Sequence, residues 1–563
     1  MKTKNTKILA LILAMLLALS LFTACGNEPG TVTPAPDATN PGAGDEFTGG
    51  SKLEADESDI QAALNAEGPM ELTIGILNDV GSFYPGGAGT SGTKTKRVML
   101  YETLFFKDAE KQLHPLLAKS YEDKGNSTYA IELFDYITDS AGNHLTAADV
   151  IFSIDLYIKD GQNSSTWATI SDYRATGDYT FEVTFAPEVT GQLGDFLSRV
   201  PMITQAAWEA SPDEMAFSPV GTSGYTLNTA ESVLGSIYIF EKRDDYWQTD
   251  EQYICDHNRN NLDKLTAKVI TDASTLAVAL ETGEIDFTTD IDAKDRALFA
   301  DMTTGAALDG YVKLDGQNNA FVHLTFNCGE KSPCRDIKLR QAICHAIDAA
   351  ACKFTAYSGF GGVCNAATNP NLSDSGTQFG HDDYFTYDVE LAKQLVAESG
   401  YNGETLRMLV LPNATIKASV PLIKQYCAEI GVTLESLEYD MAEFRKVRTE
   451  TTGEVYDIEL LGATSADDTV YVSVKEIDDR AYANGLGRIF VKDEELQKLY
   501  EDAGNAATTS PEIIQSLLDR LEEQCYMYGL YYCPKMIFGR DCIKSATVIP
   551  FDDAIYPSFV VSK

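Results

Sequence analysis

Residues 265–287 read LTAKVITDASTLAVALETGEIDF and set the class of the fold. Leu265 to Ile270 is a strand, Ser274 to Thr282 is a helix, and Ile285-Asp286-Phe287 is a second short strand. Strand, helix and strand in succession is a βαβ rhythm, the signature of an α/β layer architecture.

The same rhythm extends in both directions. Met70-Glu71-Leu72-Thr73-Ile74-Gly75-Ile76 alternates apolar and polar as a strand does, and runs into a turn-rich segment ending at Tyr84-Pro85. Tyr129 to Phe134 and Thr180 to Phe185 are further strands. Between them Thr146 caps a helix running to about Lys159, with Asp149 as the acidic partner of a capping box. Pro219 to Leu227 is a glycine-punctuated turn entering a strand, and Ile237 to Lys242 pairs with it as a hairpin.

A second series starts at Val322-His323-Leu324-Thr325-Phe326. It continues with helices from Ile337, Leu391 and Ser419, and with strands at Leu406–Leu411, Val432–Leu437 and Tyr456–Leu461. Gly400 and Gly431 stand where helices stop. Pro511 opens a helix expected to reach Tyr528, and an extended C-terminal run follows. The expectation is two α/β lobes with strands returning between them.

The chain has 563 residues, 44% of them hydrophobic, enough for several cored domains. Its net charge is −40, and no stretch gathers Lys and Arg into a stripe, so nucleic-acid binding is disfavoured. Such a surface tolerates a cationic or zwitterionic ligand better than an anion. The six histidines are scattered, with none in H-E-x-x-H spacing, and there is no G-x-S-x-G and no P-loop. His323 and His345 read as core or surface residues. The expectation is a protein that is not an enzyme and carries no cofactor or metal.

Lys2, Lys4 and Lys7 precede an apolar run from Ile8 to Phe22, too short to span a bilayer, which makes residues 1–24 a secretory signal. Residues 25–69 are rich in Gly, Pro, Thr, Ala and acidic side chains and read as a flexible tether, with a reach of roughly 35 Å. Eleven cysteines occur, none in a C-x-x-C pair. The even count after Cys25 fits pairing in an exported protein. Cys344, Cys352 and Cys427, however, lie on helix-like apolar faces and read as free thiols.

Two resemblances sharpen this reading. Leu21-Phe22-Thr23-Ala24-Cys25-Gly26 resembles the lipobox of bacterial lipoproteins, with Phe22 where Leu is usual; it implies a lipid on Cys25. The body resembles the bacterial extracellular solute-binding proteins of family 5, which serve peptide and nickel importers. The residues that carry the likeness are Ser82-Phe83-Tyr84-Pro85, Tyr101-Glu102-Thr103-Leu104, Leu117 to Glu122, Ala141 to Ser153, Pro219 to Tyr225 with Arg243 to Trp247, Asp272 to Asp286, and Phe326-Asn327 through Arg340-Gln341-Ala342 to Asp348.

The resemblance implies a two-lobed periplasmic-binding-protein-like fold (type II, cluster C-like) with an extra domain. Lobe I would be 70–97, 217–320 and 530–563, the extra domain 98–216, and lobe II 321–529. It implies hinge closure over a ligand, capture of a short peptide, permease subunits as partners, a monomer, and a place on the outer face of a cell membrane, in a Gram-positive organism. Such proteins hold a peptide by strand-like pairing and fix its amino terminus with one Asp after a buried strand. Here that is Asp467, with Asp468 and Thr464 beside it. Ala463 departs from the family by standing where Trp is common, and one extra residue precedes Asp467. Across the cleft the candidates are Gly81, Ser82 and Phe83, with Tyr101 and Tyr471 as further aromatic contacts. A peptide-pheromone sensor, or a binder of a nickel chelate or oligosaccharide, stands as the alternative.

Overall fold

A computed structural model describes residues 51–79, 81–86, 91–109, 112–159, 167, 169–186, 192–301, 304–316, 320–372, 374–375, 384–448, 452–463, 469–482, 484–505, 508–533, 535–549 and 554–562. Cys25, Thr464, Asp467 and Asp468 lie outside them.

The 265–287 segment builds the centre of a seven-stranded sheet. Its order is Tyr311–Asp315, Met536–Arg540, Phe287–Thr288, Glu71–Ile76, Lys264–Val269, Ile237–Lys242, Tyr225–Leu227. Glu71–Ile76 is parallel to both neighbours, with Leu72 opposite Leu265 and Ile74 opposite both Ala267 and Phe287. The helix Ala273–Thr282 makes the crossover. Asp272 caps it through the Thr275 N–H (2.8 Å), and Gly283 ends it at φ +75°, a conformation that favours glycine. Gly75 of the central strand faces that helix. A Cβ there would fall 2.4 Å from Leu276 Cδ1, so the missing side chain sets how closely helix and sheet pack.

Lobe II carries a six-stranded sheet in the order Gly362–Ala366, Met527–Tyr532, Phe321–Phe326, Ile458–Ala463, Leu406–Val410, Leu434–Glu438. The last three run parallel, and Phe321–Phe326 runs antiparallel to both its neighbours. All six residues of Phe321–Phe326 are buried, as a strand covered on both faces must be. A third core belongs to a four-stranded antiparallel sheet, Ala118–Gly125, Thr128–Leu133, Thr180–Phe185 and Ile170–Ala175. Against it the helix Ala147–Lys159 packs Val150, Ile154 and Tyr157 among Phe181, Val183 and Phe196. Asp149 makes its half of the expected capping box, accepting from the Thr146 N–H at 2.8 Å, while the Thr146 hydroxyl donates to the same carboxylate at 2.7 Å and the Asp149 N–H goes to the Thr146 carbonyl.

The chain passes from the first sheet to the second after Asp315 and returns after Tyr532. The two crossings lie side by side. Tyr311–Asp315 pairs antiparallel with Met536–Arg540, and the Gly316 N–H donates to the Lys535 carbonyl at 2.6 Å. One apolar cluster joins Leu276, Ile285 and Phe299 of the first lobe to Phe360, Cys533 and Met536 at the crossing.

Several local readings change. Part of the stretch read as tether is folded. Ser51–Glu54 pairs antiparallel with Ile543–Val548, and the helix Glu57–Leu64 follows; Leu53 packs on the core and Ala63 is buried, too little apolar pattern to be legible. The strand Met527–Tyr532 stays in the second sheet past residue 530, so the return falls three residues later than expected. The helix from Pro511 ends at Glu523 rather than Tyr528, because residues 527–532 are claimed by that sheet. Gly431 is left-handed (φ +82°), whereas Gly400 is not among the positive-φ glycines; its N–H donates to Asp336 instead.

Three motif segments distant in sequence meet where the extra domain joins lobe I. Glu102 is fully buried and accepts from the Tyr246 hydroxyl (2.5 Å) and the Trp247 indole N–H (3.1 Å). Burial pushes its carboxyl up to about 7 against those hydrogen bonds. Trp247 also donates to the Thr222 carbonyl (3.0 Å), and Arg243 donates to the carbonyls of Ser223 and Asp139 (3.0 and 3.1 Å). At Gly221 a Cβ would sit 1.9 Å from the Leu100 carbonyl oxygen. Gly221→Ala is therefore expected to cost about 3 kcal/mol or more in urea unfolding, since backbone must move. Gly194→Ala, with nothing within 4 Å of its Cβ and a place in a helix, is expected to be neutral or slightly stabilising.

Candidate functional site

In open α/β sheets ligands bind beyond the carboxyl ends of the strands. In lobe I those ends are Ile76, Val269 and Thr288. In lobe II they are Val410, Glu438 and Ala463, together with the start of the antiparallel strand at Phe321, which pairs with Ala463 and with Tyr532. Residue 532 is also where the chain returns to lobe I. The strand ends of lobe II thus lie beside the crossing; residues 464–468, which follow Ala463 in sequence, lie outside the described residues.

On the lobe I side the structure gathers residues that sequence reading did not pair. Asp79 follows the central strand and is buried beside Lys96, whose ammonium donates to its carboxylate; the side chains are 3% and 1% exposed. The Tyr238 hydroxyl donates to the other Asp79 oxygen. Lys96 Nζ lies 4.9 Å from the ring centre of Phe83 and 4.8 Å from that of Tyr238. Burial pulls the Lys96 pKa down while Asp79 pulls it back up. Two charges taken out of water hold only when each meets the other and further hydrogen bonds. Here Asp79 also accepts from the Gly81 N–H (3.1 Å), which fixes the turn that follows.

Gly81 sits in that turn at φ +62°, half-buried, and the Ser82 hydroxyl accepts from the Tyr84 N–H (3.2 Å). Phe83 is 3% exposed and committed inward. Its N–H donates to the Ala216 carbonyl (2.9 Å), its carbonyl accepts from the Tyr101 hydroxyl (3.0 Å), and its ring meets Tyr238 edge-on at 5.1 Å. Tyr101 is 2% exposed, so its task in this structure is to hold Phe83. Next to these anchors three large apolar side chains face solvent: Phe217, beside Ala216, and Val233 and Leu234, beside Gly235, whose N–H donates to the Tyr238 hydroxyl (2.8 Å).

In lobe II, Tyr471 stacks on Tyr500 (4.5 Å between centroids, 29° between planes) and packs against Gly504. Its short helix is capped by Thr469 and tied by the Val470 N–H to Asp374 (2.8 Å). A separate charge cluster lies within this lobe: Arg448 donates to Glu459 (3.1 Å) and Glu476 (3.0 Å), close to buried His323, whose ring burial holds down to about 4.

Residues 112–476 match the model of the bacterial extracellular solute-binding proteins, family 5 (middle). The chain belongs to this family.

Among relatives of this family-5 chain is the probable peptide ABC transporter periplasmic-binding protein y4tO of Sinorhizobium fredii. The two are 27% identical over 404 residues, 67% of this chain and 71% of that protein. The ABC transporter substrate-binding protein CtaP of Listeria monocytogenes superposes with a TM-score of 0.71 at 21% identity, over 88% of this chain and 99% of CtaP. NikA of Brucella suis, in complex with Fe(III)-EDTA, superposes with a TM-score of 0.72 at 18% identity, over 88% of this chain and all of NikA. The expected two-lobed periplasmic-binding-protein fold is therefore the fold of this chain.

Asp79, Lys96 and Tyr238 escaped sequence reading because Lys96 lies in the run Lys94-Thr95-Lys96-Arg97, which looks like a solvated charge cluster. The one available signal was Asp79 standing three residues past the carboxyl end of a strand, the end at which open α/β sheets bind ligands. Lys96→Met should cost about 3–5 kcal/mol in denaturant unfolding, because it strands a buried carboxylate. Lys96→Met with Asp79→Asn should recover most of that loss, and the double-mutant cycle measures the coupling.

Proposed function

We propose that this family-5 chain is a lipid-anchored, extracytoplasmic binding protein that captures a short peptide between its lobes and delivers it to an ABC-type permease. The observation that carries the reading is the double crossing beside the strand ends of lobe II. One shared edge with a ligand-binding end next to it is the arrangement a closing cleft requires. The relative y4tO, named for peptide transport, supports the ligand class.

The chemistry of the chain agrees. A peptide is zwitterionic, and a surface at net charge −40 favours its ammonium end. Asp467, with Asp468 and Thr464 beside it, would take that ammonium as the cleft dries. Gly81 and Ser82 would line the opposite wall, and Phe217, Val233 and Leu234 would meet apolar side chains of the guest. Binding needs no bond made or broken, which fits a family of solute-binding proteins rather than enzymes. Cys25 would carry the lipid. A second reading is a metal chelate, favoured by the fold shared with NikA in its Fe(III)-EDTA complex and by Ala463 in place of the usual aromatic wall.

Titration calorimetry of the full chain with a short-peptide library, Fe(III)-EDTA and oligosaccharides separates these readings. Peptide binding that Asp467→Ala weakens at least about tenfold, a loss of ~1.4 kcal/mol, supports the proposal. Equal affinity in the variant removes Asp467 as the anchor, and binding of the chelate alone replaces peptide capture by the second reading. Cys25→Ala should move the protein from the membrane fraction to the medium; retention on the membrane overturns lipid anchoring.

A further inference from the structure

Two buried thiols in lobe II face one another. Cys344, on the helix Ile337–Ala346, and Cys525, in the turn between the helix Pro511–Glu523 and the strand Met527–Tyr532, are both 0% exposed, with sulfurs 3.3 Å apart. Closing to the ~2.05 Å of a disulfide asks each sulfur to move by well under an ångström, a small side-chain rotation.

The surroundings hold this approach in place. Arg340 lies one helical turn before Cys344 and is 3% exposed. Its guanidinium donates to the carbonyls of Cys525 (3.0 Å) and Gln524 (2.6 Å), and also to those of Cys334 (2.7 Å) and Arg335 (3.0 Å). One side chain therefore clamps the 524–525 turn onto the helix that carries the second thiol. Cys525 also occupies a left-handed backbone position (φ +49°). Gly or Asn suits that position better, so the conformation disfavours Cys there unless the sulfur contributes something.

Both are free thiols in this structure, as the apolar helix face of Cys344 predicts; we infer that under oxidising conditions Cys344 and Cys525 form a disulfide that ties the 524–525 turn to the helix 337–346 and closes a loop across most of lobe II. The redox balance is that of thiol–disulfide exchange. One thiol loses its proton and attacks a low-molecular-weight disulfide, releasing one small thiolate and leaving a mixed disulfide. The second thiolate then attacks the protein sulfur and displaces the other small thiolate. Two protons and two electrons leave the protein, and the small disulfide is reduced to two thiols. Both sulfurs are buried in the folded chain, so exchange belongs to folding or to local opening of the turn. The inference rests on the extracytoplasmic reading only for the source of the oxidant, and its readouts need no ligand, so it stands or falls apart from peptide capture.

The test uses the full chain, refolded with oxidised glutathione and compared with the same protein after reduction. Denaturing alkylation should add two fewer groups to the oxidised sample, and a non-reducing peptide map should join the Cys344 and Cys525 peptides. Equal alkylation, or a link between another pair, overturns the inference. The thermal midpoint of the oxidised protein should exceed that of the reduced protein by several degrees. Cys525→Gly relieves the left-handed strain, so it should leave the reduced midpoint unchanged or raise it while lowering the oxidised one. Cys344→Ala should abolish the redox difference. A Cys525→Gly shift equal in both redox states contradicts the bond.

Discussion

The antiparallel pairing of Tyr311–Asp315 with Met536–Arg540 is the constraint on which this architecture turns. These strands carry the chain out of the first sheet and back into it, and the bond from Gly316 to Lys535 holds the two crossings together where they leave. Both lobes therefore share one edge. Each lobe builds its own core around its own sheet, and the apolar cluster at the crossing is the seam between them. Rigid bodies joined along one edge move by opening and closing about it, which is how hinge-bending proteins enclose a guest.

The chemistry near the strand ends of lobe I follows from burial. Asp79 and Lys96 leave water together, and Tyr238, Gly81 and the ring of Phe83 complete their surroundings. An ion pair of this kind contributes little net stability, because desolvation offsets most of the attraction. Its value is positional. It fixes the turn at Gly81 and Ser82, and Tyr101 fixes Phe83 behind it. The backbone of Phe83 is spent on the protein itself, through the Ala216 carbonyl and the Tyr101 hydroxyl.

What was legible in the sequence was local. The βαβ unit at 265–287 declared itself because its period switches from strand to helix and back within one short stretch. The Thr146–Asp149 pairing at the helix start was equally plain, because both partners sit within one helical turn. Contacts across long sequence separations were not legible. Glu102 meets Tyr246 and Trp247 about 145 residues away, and Asp79 meets Tyr238 at a separation of 159. Three of the motif segments, around Glu102, Thr222–Ser223 and Arg243–Trp247, meet at the junction of extra domain and lobe I. Tyr101 and Glu102 are buried structural residues there, and their recurrence in a pattern says more about packing than about ligand. The strand Ser51–Glu54 hid for the opposite reason: it owes its place to partners in Ile543–Val548, with one leucine of its own.

The central claim is that two lobes hinged at the paired crossings shut over a small molecule. Small-angle X-ray scattering of the full chain, free and saturated with whichever probe calorimetry shows to bind, tests it most directly. The account predicts a smaller radius of gyration and a shorter maximum dimension in the bound state. Identical scattering curves with the probe demonstrably bound would mean that the lobes form one fixed body, and would contradict it.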